Sequence, residues 1–425
     1  MSRRKPLPQV NGENMKRILF VDDEPKVLEA LQRMLRPMRH EWELAFADGG
    51  VAALAALAEK PFDVVVTDMQ MPGMDGARLL SEIRKLHPQT VRIVLSGHSN
   101  REMIMTSVGS AHQYLSKPCD TEVLKDTVGK ACALQDLLTN TKLQLLVSQM
   151  QSLPSLPALY FELMKELESP DASIKRVGEI ISQDPGMTAK ILQMINSAFF
   201  GLPRHISNPT EAAALLGLDT VRALILSVHI FSQFNEARVP GFSIERLRSH
   251  SMAVAATAKA IAKIQGQPQQ LVNQALTAGL LHEAGSLVLA SKLPQDYEVM
   301  LKLAREEKLF LGEAERRVFG AGHPEVGAYL LGIWGLPNSI VEAVAFHHSP
   351  GRFGKTFSAL TAVHVADYFE GKANGSYIEG VSGTPLDQDY VTKLGLTKRL
   401  PVWQALHDEL NGSHSFQQPP DDSSL

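Results

Sequence analysis

Between residues 17 and 138 the sequence alternates short apolar runs with amphipathic stretches, and this limits the fold more than any other feature. The runs are RILFVD (17–22), WELAFA (42–47), DVVVTD (63–68), VRIVLS (91–96) and HQYLS (112–116). After the first run, Val27, Ala30, Leu31, Met34 and Leu35 share one face at helical spacing. Leu79, Leu80, Ile83 and Leu86 repeat that signature after the third. Five strand–helix units predict a doubly wound parallel sheet covered on both faces. In such sheets the functional site lies at the carboxyl ends of the strands.

The strand ends carry the chemistry. Asp22 and Asp23 end the first run, Asp68 the third and Ser96 the fourth, and Lys117 follows the fifth. With strand order 2-1-3-4-5, three carboxylates, a hydroxyl and an ammonium converge on one rim. Clustered acids repel one another unless a cation sits among them. Hard oxygen ligands with retained waters suit Mg²⁺.

With Pro72 and Gly76 after Asp68, Gly97 after Ser96 and Pro118 after Lys117, this set resembles the receiver domain of two-component response regulators, a flavodoxin-like fold. The resemblance covers about residues 16–135. It implies that Asp68 takes a phosphoryl group from a sensor histidine kinase. It also implies Mg²⁺ held by Asp22, Asp23, Asp68 and the backbone carbonyl of Gln70. Lys117 and Ser96 would contact the phosphoryl oxygens, with a cis Lys117–Pro118 bond aiming the lysine inward. Tyr114 would swing inward on phosphorylation and bias the face that leads to the rest of the chain.

Residues 130–151 (KACALQDLLTNTKLQLLVSQMQ) contain neither Gly nor Pro, and predict a helix running on from the fifth unit. Leu134, Leu138, Leu145 and Val147 are among its apolar positions, which leaves dimerisation through this connector open. From Leu153 to about Leu410 the pattern is helical, with starts marked by Ser, Asp and Pro, as at Asp184-Pro185 and Pro337-Asn338. The segments LPSLP (153–157), SQDPGMTAKILQMINSAFFG (182–201) and EAAALLGLDTVRALILSV (211–228), with the later histidines, resemble the HDOD domain, a helical output module related to HD phosphohydrolases.

His250, His282 and Asp367 follow the outline of the HD metal ligands, with Glu283 beside His282, and His323 and His347-His348 match the extra positions of the HD-GYP branch. By that resemblance, imidazoles and carboxylates would hold Fe, Mn, Zn or Ni, and the metal would activate water for phosphoester hydrolysis. Three departures point instead to a non-catalytic module. Glu283 stands where the HD doublet has Asp, its extra methylene displacing the bridging oxygen by roughly an ångström. Ser286 stands where HDIGK-type motifs have lysine. SPGRFGKTF follows His347-His348 where a GYP segment would be. Blander roles also fit: His323 as a helix cap, His250 as a bonded core residue, and His347-His348 as imidazolium at a helix end. The helix–Gly–helix shape of residues 211–228 suggests a DNA-reading motif, but its second helix offers only Thr220 and Arg222 before ALILSV, which reads as core.

The formal net charge of −4 over 425 residues argues against a chain that coats nucleic acid or an anionic membrane. Cys119 and Cys132 show no metal spacing and fit reduced cytosolic thiols. No run reaches the roughly 18 apolar residues of a membrane span. The expected layout is a disordered leader (1–15), a receiver (16–135), a helical connector (136–152), an HDOD domain (153–370), a C-terminal helical extension (371–410) and a disordered tail (411–425). The expected function is a cytoplasmic response regulator acting through contacts with a downstream protein. Its rivals are a metal-dependent phosphodiesterase of cyclic dinucleotides or nucleotides and, further off, a DNA-binding regulator.

Overall fold

The computed structural model describes residues 15–96, 111–150, 154–155, 157–169, 171–196, 205–218, 232–233, 239–352, 356–375, 378, 380–381 and 383–412. The chain groups into two compact units. One comprises residues 1–152, 189–206 and 328–337, and the other residues 153–188, 207–327 and 338–425.

In the first unit, β1 (Lys16–Val21), β2 (Trp42–Ala47), β3 (Val64–Asp68), β4 (Val91–Ser96) and β5 (Gln113–Ser116) form one parallel sheet in the order β2-β1-β3-β4-β5. All five residues of β3 are buried, as a strand covered on both faces requires. Between strands run α1 (Pro25–Met34), α2 (Gly50–Glu59) and α3 (Gly76–Leu86). One core beside the sheet joins Leu19, Val65 and Val94 to Ala53, Leu57, Leu79, Leu80 and Ile83.

The connector differs from the single helix that its composition suggests. Helix α4 (Thr121–Leu137) stops, and α5 (Thr141–Ser148) starts afresh behind Asn140, whose side chain accepts from the amides of Lys142 and Leu143. A cap of that kind satisfies donors that a continuous helix would have used itself. Leu134, Leu138 and Val147 are buried within the chain, and only Leu145 of the four connector apolar positions is exposed.

The end of α5 is tied to the sheet. Arg92, near the start of β4, is buried and donates through Nη1 to the carbonyls of Pro88 and Thr90 and through Nη2 to that of Ser148, at 2.9 Å. The Arg92 amide donates to His112 Nδ1, so the imidazole proton sits on Nε2, 2.9 Å from the same Ser148 carbonyl. Burial lowers the guanidinium to about 9. Burial, then the Arg92 charge, hold His112 neutral well below its ordinary value.

The second unit is helical. Its centre packs α10 (Ile244–Ile264), α11 (Gln269–Leu281), α16 (Asn338–Phe346) and α17 (Ala359–Asn374) against one another. Before them lie α6 (Pro157–Glu168), α7 (Ile174–Ile181), α8 (Pro185–Ile195), which begins in this unit, and α9 (Pro209–Leu216). Between α11 and α16 lie α12 (Ala284–Lys292), α13 (Pro294–Glu306), α14 (Leu311–Phe319) and α15 (His323–Ile333), whose first turns belong to this unit. After α17 come α18 (Gln388–Lys393) and α19 (Leu400–Gly412). Helices α10 and α11 approach closely: a Cβ on Gly279 would lie 2.6 Å from Ala255 Cα. Among the described residues no helix is long and apolar enough to cross a membrane. Thr220 and Arg222 lie outside them.

Candidate functional site

At the receiver rim, β1 delivers Asp22 and β3 delivers Asp68, both buried, and Lys117 reaches between them. Its Nζ lies 2.6 Å from Asp22 Oδ2 and 2.5 Å from Asp68 Oδ1. Burial opposes the ammonium charge, but the bonds to Asp22 and Asp68 outweigh it and push Lys117 above its ordinary value. The remaining carboxylate oxygens take backbone amides: Glu24 N–H on Asp22 Oδ1 at 3.0 Å and Gln70 N–H on Asp68 Oδ2 at 2.7 Å. The Lys117–Pro118 bond is cis. Asp23 sits half-buried beside Asp22, and Gln70 is exposed.

Gly76 shows why the loop after β3 needs a glycine there. A Cβ at that position would collide with the Asp68 carbonyl oxygen and come 2.9 Å from Met69 Cα. Asp75 then caps α3 by accepting from Arg78 N–H at 2.8 Å. Ser96 ends β4 and Tyr114 lies on β5, paired with Val94; the described geometry at these two positions is that of the backbone.

In the helical unit the candidate residues converge. His250 comes from α10, His282 caps α11, Glu283 precedes α12, His323 opens α15, His347 and His348 follow α16, and Asp367 lies on α17. They form two groups whose ligand atoms lie within 4.8 Å of one another: His250, His282 and Asp367; and Glu283, His323, His347 and His348. All are buried except His348, which is partly exposed. His250 Nε2 is 3.1 Å from His282 Nε2 and 3.2 Å from Asp367 Oδ1. His323 Nε2 is 3.3 Å from His347 Nε2 and 3.1 Å from His348 Nε2.

The outer ring nitrogens fix the tautomers. His282 Nδ1–H donates to the Gly279 carbonyl (2.6 Å), His347 Nδ1–H to that of Val344 (2.8 Å), and His323 Nδ1–H to Glu315 Oε2 (2.6 Å). When these rings are neutral, their Nε2 lone pairs therefore point inward at one another. Such an arrangement calls for a cation, a proton or a metal, among them. Ligands about 2.0–2.1 Å from one ion stand about 3.0–3.4 Å apart, which the 3.1–3.3 Å pairs in both groups match, while His282 Nε2 and Asp367 Oδ1 stand 3.7 Å apart and His323 Nε2 and Glu283 Oε1 3.6 Å.

The electrostatics agree. Burial opposes charge on His323, but the Glu283 and Glu315 carboxylates raise it to about 9. Burial also works against Glu283, yet the charges of His323, His282 and His250 lower it to about 2. Burial and the neighbouring imidazoles hold His347 well below its ordinary value, and His348 at about 3. His347 and His348 are thus neutral donors, not imidazolium complementing a helix end. His323 opens α15, but its ring is held by Glu315 and aims Nε2 at its neighbours, beyond what a helix cap requires.

Glu283 is not displaced from the centre by its extra methylene. Its Oε1 lies 3.8 Å from His282 Nε2 and 3.6 Å from His323 Nε2, between the two groups, while Oε2 accepts from Ser286 Oγ at 2.7 Å. Sequence reasoning missed Glu315, which sits in LGEAERRVF among charges that read as solvated, yet is fully buried. Its Oε2 also accepts the His323 amide at 2.8 Å, and its Oε1 makes no hydrogen bond.

The model of the response regulator receiver domain matches residues 18–129, and that of the HDOD domain residues 153–350. The chain carries a response regulator receiver domain followed by an HDOD domain. An uncharacterized protein of Treponema pallidum is 26% identical over 207 residues, 48% of this chain and 39% of that protein. The hydrogenase transcriptional regulatory protein HoxA of Cupriavidus necator is 37% identical over 122 residues, 28% of this chain and 25% of HoxA. The chain therefore spans well under half the length of these curated relatives. Among solved structures, the MmoQ response regulator of Methylococcus capsulatus is similar at 27% identity and a TM-score of 0.46, covering 60% of this chain and 98% of MmoQ.

Proposed function

We propose that a sensor histidine kinase phosphorylates Asp68 and that the change passes to the HDOD domain, which acts in the cytoplasm through contacts with a downstream protein. The observation that carries this reading is the Lys117 ammonium shared between Asp22 and Asp68. A carboxylate oxygen of Asp68 attacks phosphorus as the P–N bond to the donor imidazole breaks and its electron pair returns to that ring. An acyl phosphate results. Little covalent help is needed for such a transfer, so positioning and charge neutralisation dominate. The Gln70 amide holds the carboxylate plane. Lys117, 27% exposed along its side chain, has room to follow the negative charge from the carboxylate to the phosphoryl oxygens. Ser96 would donate to one of those oxygens, and Tyr114 would respond to that movement.

The acceptor-only oxygens of Asp22 and Asp68 on adjacent strand ends, with Asp23 beside them, fit a hard dication. Mg²⁺ held by these acids and the Gln70 carbonyl would supply further neutralisation of the phosphoryl oxygens. The test is labelling by acetyl phosphate with Mg²⁺: wild type takes label and Asp68→Asn does not. Label on Asp68→Asn at the wild-type rate would refute the assignment.

The inward-pointing ring nitrogens favour a second reading, that the HDOD domain holds a transition metal. The donor set of imidazoles and buried carboxylates fits Fe, Mn, Zn or Ni. Bound there, the metal would supply an activated water for phosphodiester hydrolysis. Metal analysis of chelator-free protein alongside a phosphodiesterase assay separates this from a purely binding module: metal and turnover that both vanish in His282→Ala support the enzyme.

A further inference from the structure

The last turns of α15 and the residues after them, 328–337, belong to the compact unit that holds the five-stranded sheet. Within that unit three side chains grip them. Gln113, the first residue of β5, donates through Nε2 to the Gly332 carbonyl at 3.0 Å. That carbonyl is one of those a helix end leaves without an intrahelical donor, and it also takes the Gly335 amide at 2.9 Å. The stem of Gln113 lies along Gly335, where a Cβ would stand 3.4 Å from its Cγ and Cδ. Leu134 of α4 fills the space at Gly332: a Cβ there would collide with Leu134 Cδ1 and come 2.6 Å from Cδ2. Tyr329 is buried close enough to the Arg92 guanidinium for the two to interact electrostatically, and its hydroxyl makes no hydrogen bond among the described residues. Resting on the reading that Asp68 is phosphorylated, we propose that this grip is a latch, in which Gln113 and Leu134 hold residues 328–337 until phosphorylation of Asp68 releases them.

The grip coexists with Lys117 Nζ bonded to both Asp22 and Asp68, so it belongs to the state before transfer. Both gripping residues lie on the elements that flank this lysine. Strand β5 spans only Gln113–Ser116 and runs directly into Lys117, and α4 starts at Thr121 just beyond it. When the ammonium follows the charge to the phosphoryl oxygens, the pull acts on the strand that carries Gln113 and on the helix that carries Leu134. Packed contacts answer such a pull by changing partners, because a close-packed contact deforms little before it breaks. The grip is also poised to let go. The buried Tyr329 hydroxyl carries an uncompensated desolvation cost, and the single Gln113 bond returns little more than that cost. Because α15 is one helix from His323 onward, release at its end frees the far end of the element that opens with that histidine.

The experiment uses the full chain with Mg²⁺ and beryllofluoride, a stand-in for the phosphoryl group. Amide hydrogen exchange of residues 328–337 is followed by mass spectrometry, and beryllofluoride affinity by fluorine magnetic resonance. In wild type, beryllofluoride should speed exchange of this segment about tenfold. Gln113→Ala removes the bond, and Gly332→Ala drives Leu134 away although alanine is the better helix former. Both should speed exchange without beryllofluoride. Linkage is reciprocal, so both should also bind beryllofluoride about tenfold more tightly than wild type. A merely structural contact would leave that affinity unchanged. Gln113→Ala, the gentler change, decides if Gly332→Ala does not fold by circular dichroism. Wild type that neither binds beryllofluoride nor takes label from acetyl phosphate overturns the Asp68 reading and this inference with it. Wild type that binds beryllofluoride with exchange of 328–337 unchanged, or Gln113→Ala with wild-type affinity, overturns only the inference.

Discussion

At the receiver rim two carboxylates share one lysine ammonium, whose side chain is 27% exposed. In the histidine centre the carboxylates of Glu283 and Asp367 face imidazoles whose tautomers are pinned by buried bonds. A cation on a flexible stem can be re-aimed when a phosphoryl group arrives, whereas donors fixed from behind hold one geometry. The first arrangement suits a transient charge and the second a resident one.

The largest effect that can break this contrast is chemical. Asp68→Asn should abolish labelling by acetyl phosphate, and Lys117→Ala should slow it by more than tenfold while leaving Mn²⁺ uptake by the histidine centre intact. Lys117→Ala protein that labels at the wild-type rate would show that the shared ammonium is structural.

Next come two glycines, one beneath each site. A Cβ on Gly76 would strike the Asp68 carbonyl oxygen. One on Gly285 would strike the His323 carbonyl oxygen and approach Gly327 N to 2.8 Å. Backbone cannot give way as a flexible side chain can, so Gly76→Ala and Gly285→Ala should each cost about 1–3 kcal/mol or more in denaturant unfolding. The comparison sharpens if Gly285→Ala also lowers Mn²⁺ uptake while Gly76→Ala lowers only phosphorylation. Equal effects of both on both readouts would dissolve it.

Much of this is legible in the sequence. β3 is readable because three consecutive valines belong to a strand covered on both faces, and Asp22, Asp68 and Lys117 because strand ends in a parallel sheet share a rim. The histidines were readable as a set, but the place of Glu283 was not: chain length alone suggested a displaced oxygen, and the Ser286 bond that orients it is a tertiary fact. Glu315 was hidden by its neighbours, since Glu313, Arg316 and Arg317 mark that helix as solvated. The break after Leu137 was hidden because the run holds no Gly or Pro, and Asn140 marks a helix start only when the preceding helix ends.

Acid provides a third test, on the receiver unit. His112 is held neutral by burial and by Arg92, so its folded pKa lies below the ordinary 6.5. As pH falls below about 6.5 the unfolded chain binds this proton first, so stability declines from there until the buried ring itself titrates. His112→Gln should flatten that part of the stability–pH slope without removing it, because other buried histidines, among them His347 and His348, contribute with the same sign. An unchanged slope between pH 6.5 and 5 would mean that His112 is hydrated in the folded chain.

The smallest expected effect concerns the connector, which resembles neither site in how it is held. Asn140 Oδ1 accepts the Lys142 and Leu143 amides at 3.0 and 3.2 Å, and Gln144 Nε2 reaches back to the Gln135 carbonyl at 2.9 Å. The break is thus closed from both sides. Asn140→Ala should cost about 1 kcal/mol. It should not fuse the two helices, because Ser148 at the far end of α5 remains bound to Arg92 and His112. Double mutation with His112→Gln decides the point. If cap and clamp hold opposite ends of a rigid short helix, the two losses add to within about 0.5 kcal/mol. A larger coupling, with a gain in helical circular dichroism, would mean that the clamp alone keeps the connector from straightening.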